Sequence, residues 1–173
     1  MRNSLLITAT MCALSVGLSA QNNAIERYFE KYADDERFTV VFISPKAFEM
    51  VAKIETTDPE WNNIRPIIKD LTGLRVLACD SLVDGVLMYK EALTRVPQQE
   101  YSELLTVRDG QENVRIWSRD KGNIIEELLL LVGSPDEFVL LSLTGKIDLD
   151  KISELSKTLD VQGLEHLDKL EQH

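Results

Sequence analysis

The sequence predicts an α+β domain with a single mixed, mostly antiparallel sheet, a C-terminal four-strand meander and helices packed on the sheet. Two observations support this fold class. Up to residue 97, segments with helical periodicity alternate with short β-branched runs. From Glu103 to residue 147, the apolar period changes to two and tight-turn sequences divide the chain into four strands. Strands joined by tight turns pair antiparallel.

Residues 1–20 have the layout of a secretory signal peptide. Arg2 supplies a basic start, a short uncharged apolar run follows, and small residues precede the cleavage that we expect after Ala20. The run is shorter than the roughly 20 apolar residues of a spanning helix. Cys12 lacks the preceding small residue of a lipoprotein signal, so we do not expect a lipid anchor there. Residues 21–173 are therefore predicted to form one domain, exported to the periplasm or the extracellular space.

The charge of the chain limits its partners. The sequence has 19 Lys and Arg against 29 Asp and Glu, which gives a formal net charge of −10. Such a chain repels nucleic acid and anionic lipid at long range, so neither is expected as a partner. Once the signal peptide is removed, Cys79 has no second cysteine in the chain to pair with, and its apolar neighbours suggest a small buried side chain.

The first half predicts helices that alternate with two strands. In "NAIERYFEKYAD", apolar residues at helical spacing indicate a first amphipathic helix. The run "RFTVVFIS" is β-branched and aromatic, which is typical of a buried strand. Ser44 and Pro45 then supply the N-cap and first turn of a second helix, and Asp58 and Pro59 do the same for a third. Pro66 is expected to kink or divide this third helix.

A second strand and a further helix lead to the meander. The segment "GLRVLAC" predicts a strand, and "SLVDGVLMYKEALTRV" predicts a helix that ends at Pro97. The pair Asp109-Gly110 is a strong hairpin signal because glycine adopts positive φ freely. After residue 148, helical spacing returns in "DLDKISELSKTL", and a shorter helix is predicted after Gly163.

The most apolar part of the mature chain spans residues 123–148. Four carboxylates interrupt it, in the pairs Glu126-Glu127 and Asp136-Glu137, so a membrane-spanning helix is rejected. Its two Leu/Val-rich blocks have the length of strands and do not alternate with polar residues. We therefore expect a central hairpin that is covered on both faces, by helices on one side and by another helix of this chain or a partner on the other.

Sequence signatures of common enzymes are missing. The chain has no Gly-rich phosphate loop, no G-x-S-x-G, no H-E-x-x-H and no C-x-x-C. Its two histidines, His166 and His173, lie in the polar C-terminal tail. The acidic residues at Asp148, Asp150 and Glu154 favour a helix N-terminus over a calcium loop, because the glycine and ligand alternation of such a loop are absent. No cofactor or metal site is predicted.

One strand carries a weak candidate for a binding site. The period of two places Arg115, Trp117 and Arg119 on one face, with Arg108 of the preceding strand beside them. This basic-aromatic strip (Arg108, Arg115, Trp117 and Arg119) could bind an anionic or sugar-like ligand, or an acidic peptide. The alternative is structural, with the arginines paired to neighbouring carboxylates and Trp117 packed under a helix.

Three phrases carry a family resemblance: "YADDERFTVVFISPKAFEMVAKI", "LTGLRVLACD" and the meander from "YSELLTVRDGQ" to "GKIDLDKISEL". Over residues 26–160 the chain resembles the secreted proteins grouped as domain of unknown function 4252 (DUF4252). The resemblance implies an exported α+β domain of Gram-negative envelopes. It implies no activity and no catalytic residues. Many relatives have a lipoprotein cysteine, from which this sequence departs.

Three functions follow as hypotheses. The leading one is a non-enzymatic envelope protein that binds a protein or small ligand through its sheet. The alternative is a hydrolase of an envelope polymer, which would need two carboxylates within roughly 5–10 Å of each other. The third is a structural module that associates with itself as a homo-oligomer.

Overall fold

The computed structural model describes residues 24–81, 84–122 and 124–148, which form four helices and six strands. In chain order these are α1 (Ala24–Tyr32), β1 (Thr39–Ile43), α2 (Pro45–Val51), α3 (Pro59–Asp70), β2 (Leu71–Cys79), α4 (Gly85–Leu93), β3 (Ser102–Asp109), β4 (Glu112–Lys121), β5 (Ile124–Gly133) and β6 (Phe138–Ile147). The predicted α+β class is confirmed. The helices predicted after residue 148 lie outside the described residues.

The strands form a sheet in the order β1-β2-β6-β5-β4-β3. Each pairing of neighbours in this order is antiparallel, and β3 to β6 form the predicted meander. The helices α2 and α3 return the chain from β1 to an antiparallel partner, so the helical connections of the first half create no parallel pair among these strands. The central position predicted for the β5–β6 hairpin is confirmed.

Helices cover the sheet on both faces. On the first face, α1 and α4 pack against alternate residues of β2, β6, β5 and β4, in a core that includes Tyr28, Tyr89, Leu77, Leu129 and Leu140. On the second face, α2 and α3 contribute to a core whose members include Phe48, Ile67, Leu130, Leu141 and Ile116. The domain therefore has a helix–sheet–helix layering.

The hairpin of β5 and β6 is buried on both faces, as its sequence predicts. Residues 128–132 and 139–141 are all buried, and they belong alternately to the two cores. The helices that cover this hairpin include α4, which contacts β5 and β6, and α3, which contacts β6, so helices of this chain lie on both of its faces. In the described part of the chain, no helix is long and apolar enough to cross a membrane.

Local sequence signals account for the helix starts and turns. The Ser44 hydroxyl accepts a hydrogen bond from the Ala47 amide at the start of α2, and the Asp84 carboxylate does the same for Leu87 in α4. Gly110, in the turn between β3 and β4, has φ 57°, the left-handed conformation that its hairpin requires.

Two details differ from the sequence prediction. The run that forms β1 reads as a buried strand, but Thr39 to Phe42 are exposed because β1 lies at the edge of the sheet. A β-branched run indicates a strand and does not indicate how many neighbours that strand has. Pro66 does not divide α3, which continues as one helix of 12 residues from Pro59 to Asp70, and the alternative of a kink at Pro66 stays a prediction.

Truncation of Leu129 is expected to destabilise the domain. Leu129 is fully buried, with 0% of its surface exposed, so Leu129→Ala should lower the free energy of unfolding by about 2–5 kcal/mol through lost burial and a cavity. Leu87, which is 61% exposed on α4, is the matched control, and Leu87→Ala should change it by less than about 0.5 kcal/mol. Denaturant unfolding measures the free energy of unfolding of both variants, and an equal decrease in the two would contradict the central position of β5.

Candidate functional site: the basic-aromatic strip and the open edge

The structure brings the strip together on one face of the sheet. Arg115, Trp117 and Arg119 project from β4 toward the face that α1 and α4 cover, and Arg108 lies opposite Asn113 at its outer end. Trp117 is only 1% exposed and belongs to the core on this face. The strip is therefore not an open aromatic surface.

The arginines of the strip have partners on neighbouring strands. Arg115 Nη1 lies 3.0 Å from Glu103 Oε2, and Arg119 Nη2 lies 2.8 Å from Glu127 Oε2. Arg108 Nε donates to Asn113 Oδ1 at 3.2 Å. These contacts are those of the structural alternative, in which arginines pair with nearby acceptors. The Trp117 indole N–H is buried and has no acceptor in the described structure, so a ligand role for the strip stays a prediction.

A buried carboxylate that is not among the predicted site residues connects the strip to the meander. Glu127 is 2% exposed, and its Oε1 accepts a hydrogen bond from Ser142 Oγ at 2.6 Å. Its Oε2 accepts from Tyr101 Oη at 2.8 Å and contacts Arg119. Because both oxygens are engaged, Glu127 connects β4, β5, β6 and the entry to β3.

A sequence signal for Glu127 did exist. The strand "IIEELLLLV" is apolar except for its two glutamates, and period-two alternation puts one of them on each face. The register then places Glu127 directly opposite Arg119. That pairing depends on strand register, which the local sequence pattern does not determine.

The most exposed apolar strand lies at the β1 end of the sheet. In β1, Val40 is 40% exposed, Val41 is 37% exposed and Phe42 is 62% exposed. The strand contains no charged residue, and none of the other five described strands pairs with its outer side. We call this feature the β1 edge (Thr39–Ile43). The opposite edge, β3, carries Glu103, Arg108 and Asp109.

Exposed apolar side chains and ion pairs occur in the segments that flank β1 in the chain. The helix α2 follows β1 directly, and Met50, Val51 and the nearby Ile54 are exposed. Three ion pairs lie near the strand: Arg37 with Asp35, Lys46 with Glu49, and Arg75 with Glu26. Hydrogen bonds from Arg37 lower the pKa of Asp35 to about 2, so the carboxylate of this pair stays ionised to a lower pH than an ordinary aspartate does.

Other chemical groups do not assemble into a site in the described residues. They contain no group of three or more His, Cys, Asp or Glu that could hold a metal ion. Cys79 is a free, buried thiol in the first core, as its apolar neighbours predict. The acidic residues predicted near a helix start at Asp150 and Glu154 lie outside the described residues.

Loss of the Glu127 carboxylate should destabilise the meander. Glu127→Ala would leave Arg119, Tyr101 and Ser142 without their acceptor, and we expect the free energy of unfolding to fall by about 3 kcal/mol. The adjacent Glu126, 3.6 Å from the exposed Lys121, is the matched control, and Glu126→Ala should change it by less than about 1 kcal/mol. Denaturant unfolding measures the free energy of unfolding of both variants. An equal decrease in the two would show that Glu127 stabilises the domain no more than the exposed Glu126 does.

Comparison with known proteins gives a family and no function. No curated protein and no solved structure matches the chain. The family model described as a domain of unknown function (DUF4252) matches residues 31–155, which include β1 and the whole meander. Since this match covers more than half of the 173 residues and agrees with the resemblance predicted from the sequence, the chain belongs to the DUF4252 family.

Proposed function

We propose that this protein is an exported, non-enzymatic interaction module that binds an extended polypeptide segment along the β1 edge. The observation that supports this proposal most directly is the exposure of an uncharged apolar strand at the end of the sheet. Export rests on the signal-peptide pattern of residues 1–20.

An edge strand presents unpaired backbone N–H and C=O groups that another strand can bind. Natural sheets usually protect such edges with charged side chains, proline, bulges or covering segments. The β3 edge has charges and an irregular register beside Glu103, whereas β1 has neither charges nor proline. The two edges therefore differ in their protection against the addition of a strand: β3 is protected, and β1 is not.

The chemistry of the β1 edge favours a polypeptide over a small ligand. Strand addition gives affinity through main-chain hydrogen bonds and specificity through alternate side chains. Val40 and Phe42 point to one face and Val41 points to the other, so the added strand would meet apolar groups on both faces. The expected partner segment is extended, apolar and short of charge.

The hydrolase alternative lacks an observation that favours it. Such an enzyme needs two acidic side chains that face one bond of the substrate. Glu127 is the one carboxylate that is buried among the described residues, and hydrogen bonds occupy both of its oxygens. We therefore assign Glu127 a structural role.

A charge on the β1 edge should prevent binding. The full chain, carrying a photoreactive amino acid at Phe42, is expected to form covalent adducts with a polypeptide in its native compartment. Val41→Lys should reduce these adducts about tenfold or more, because it places a charge in an apolar strand pairing. Gel separation and mass spectrometry quantify the adducts.

Thr106→Lys on the exposed side of β3 is the matched control and should leave the adducts unchanged. Unfolding measurements establish that both lysine variants remain folded. Adducts that persist unchanged in Val41→Lys, or a Phe42 probe that forms none, would contradict the proposed function.

A further inference from the structure

We infer that the segment bound along the β1 edge is β1 of a second copy, paired antiparallel about a two-fold axis at Val41. This inference rests on the proposed function and names the partner. It predicts a dimer whose two sheets join into one continuous sheet.

The sequence of β1 is complementary to itself in this register. With Val41 opposite Val41 of the second copy, Thr39 lies opposite Ile43 and Val40 lies opposite Phe42. Each apolar residue meets an apolar or β-branched residue. No charge of the strand is placed against another, because the strand has none.

The two faces of the sheet also continue across this pairing. Within one chain, Val40 lies opposite Leu77 and Phe42 lies opposite Arg75, whose guanidinium is 5.4 Å from the Phe42 ring. Val41 lies opposite Val76 on the other face. Paired residues share a face, so Val40 and Phe42 of the two copies would form one apolar cluster.

The different character of the two edges favours self-pairing over an open assembly. Pairing β1 with β1 uses the unprotected edge of both copies and leaves the charged β3 at each outer end. Such an isologous contact closes at two copies. Pairing of β1 with β3 would instead place Glu103, Arg108 or Asp109 beside an apolar strand and would allow continued growth.

Two ion pairs lie at the ends of the contact, although the chain as a whole is acidic. At the two ends of β1, Arg37 is paired with Asp35 and Lys46 is paired with Glu49. Each pair is neutral, so the ends of two copies do not present uncompensated like charges to each other at these positions. The net charge of −10 should still weaken association at low salt.

The length of the edge limits the affinity. The chain turns into the sheet through the Asp35–Phe38 turn and leaves it at Pro45, so the open strand has five residues. A stable interface needs about 1,200–2,000 Å² of buried surface, which exceeds what one short strand pair supplies. The contact is therefore expected to be weak. We expect a dissociation constant on the order of micromolar.

Cysteine crosslinking tests both the partner and the register. The full chain is expressed with Cys79→Ala, so that an introduced cysteine is the one thiol of the described residues, and is purified in the form that the cell produces. Val41→Cys should form a disulfide-linked dimer on mild oxidation, because opposed residues have Cα atoms about 4.5–5.5 Å apart.

Thr39→Cys is the matched control. In this register its two copies are offset by four residues, or about 13 Å, which exceeds the roughly 7 Å limit between disulfide-linked Cα atoms. It should not form a dimer alone, but should crosslink to Ile43→Cys when the two variants are mixed. This mixed pair gives an independent readout if Val41→Cys fails to fold.

Two results overturn self-pairing and separate it from the proposed function. Equal dimer yields from Val41→Cys and Thr39→Cys indicate random collision and reject the register. A protein that stays monomeric at about 100 μM, well above the expected dissociation constant, rejects self-pairing. If the Phe42 photoadduct then contains a different protein, the proposed function stands. If no adduct forms, both proposals fail.

Discussion

The need to cover both faces of the β5–β6 hairpin determines the rest of the architecture. Residues 128–132 alternate between two apolar cores and contain no polar side chain to face water. One helical layer would leave half of these side chains exposed. Helices α1 and α4 therefore pack on one face, and α2 and α3 contribute to the cover of the other.

Helices that cover the faces of a sheet do not supply hydrogen-bond partners for the backbone groups of its edge strands. The antiparallel order leaves β1 and β3 at the ends, each with backbone groups directed away from the sheet. The meander stabilises the β3 side, where Glu127 joins Tyr101, Ser142 and Arg119. The β1 edge has exposed Phe42 at 62% and no charge, so it is the surface on which the proposed interaction depends. Membership of DUF4252 assigns no activity that competes with this proposal.

Features set by neighbouring residues were predictable from the sequence, and features set by strand pairing were not. The turn at Gly110 and the N-cap at Ser44 each require only a few residues, and both occur as predicted. The central hairpin was also predictable, because non-alternating apolar strands need cover on both faces. The edge position of β1 depends on its distant partner β2, and the Glu127–Arg119 contact depends on register, so neither followed from local pattern.

Amide hydrogen exchange along β1 tests the self-pairing account most directly. Amides of Thr39–Ile43 that point away from β2 should exchange rapidly in dilute protein and become protected at concentrations above the dissociation constant. Amides of the β3 edge should exchange at the same rate in both samples, since that edge remains at the outside of the dimer. Exchange in β1 that does not depend on protein concentration would contradict the account.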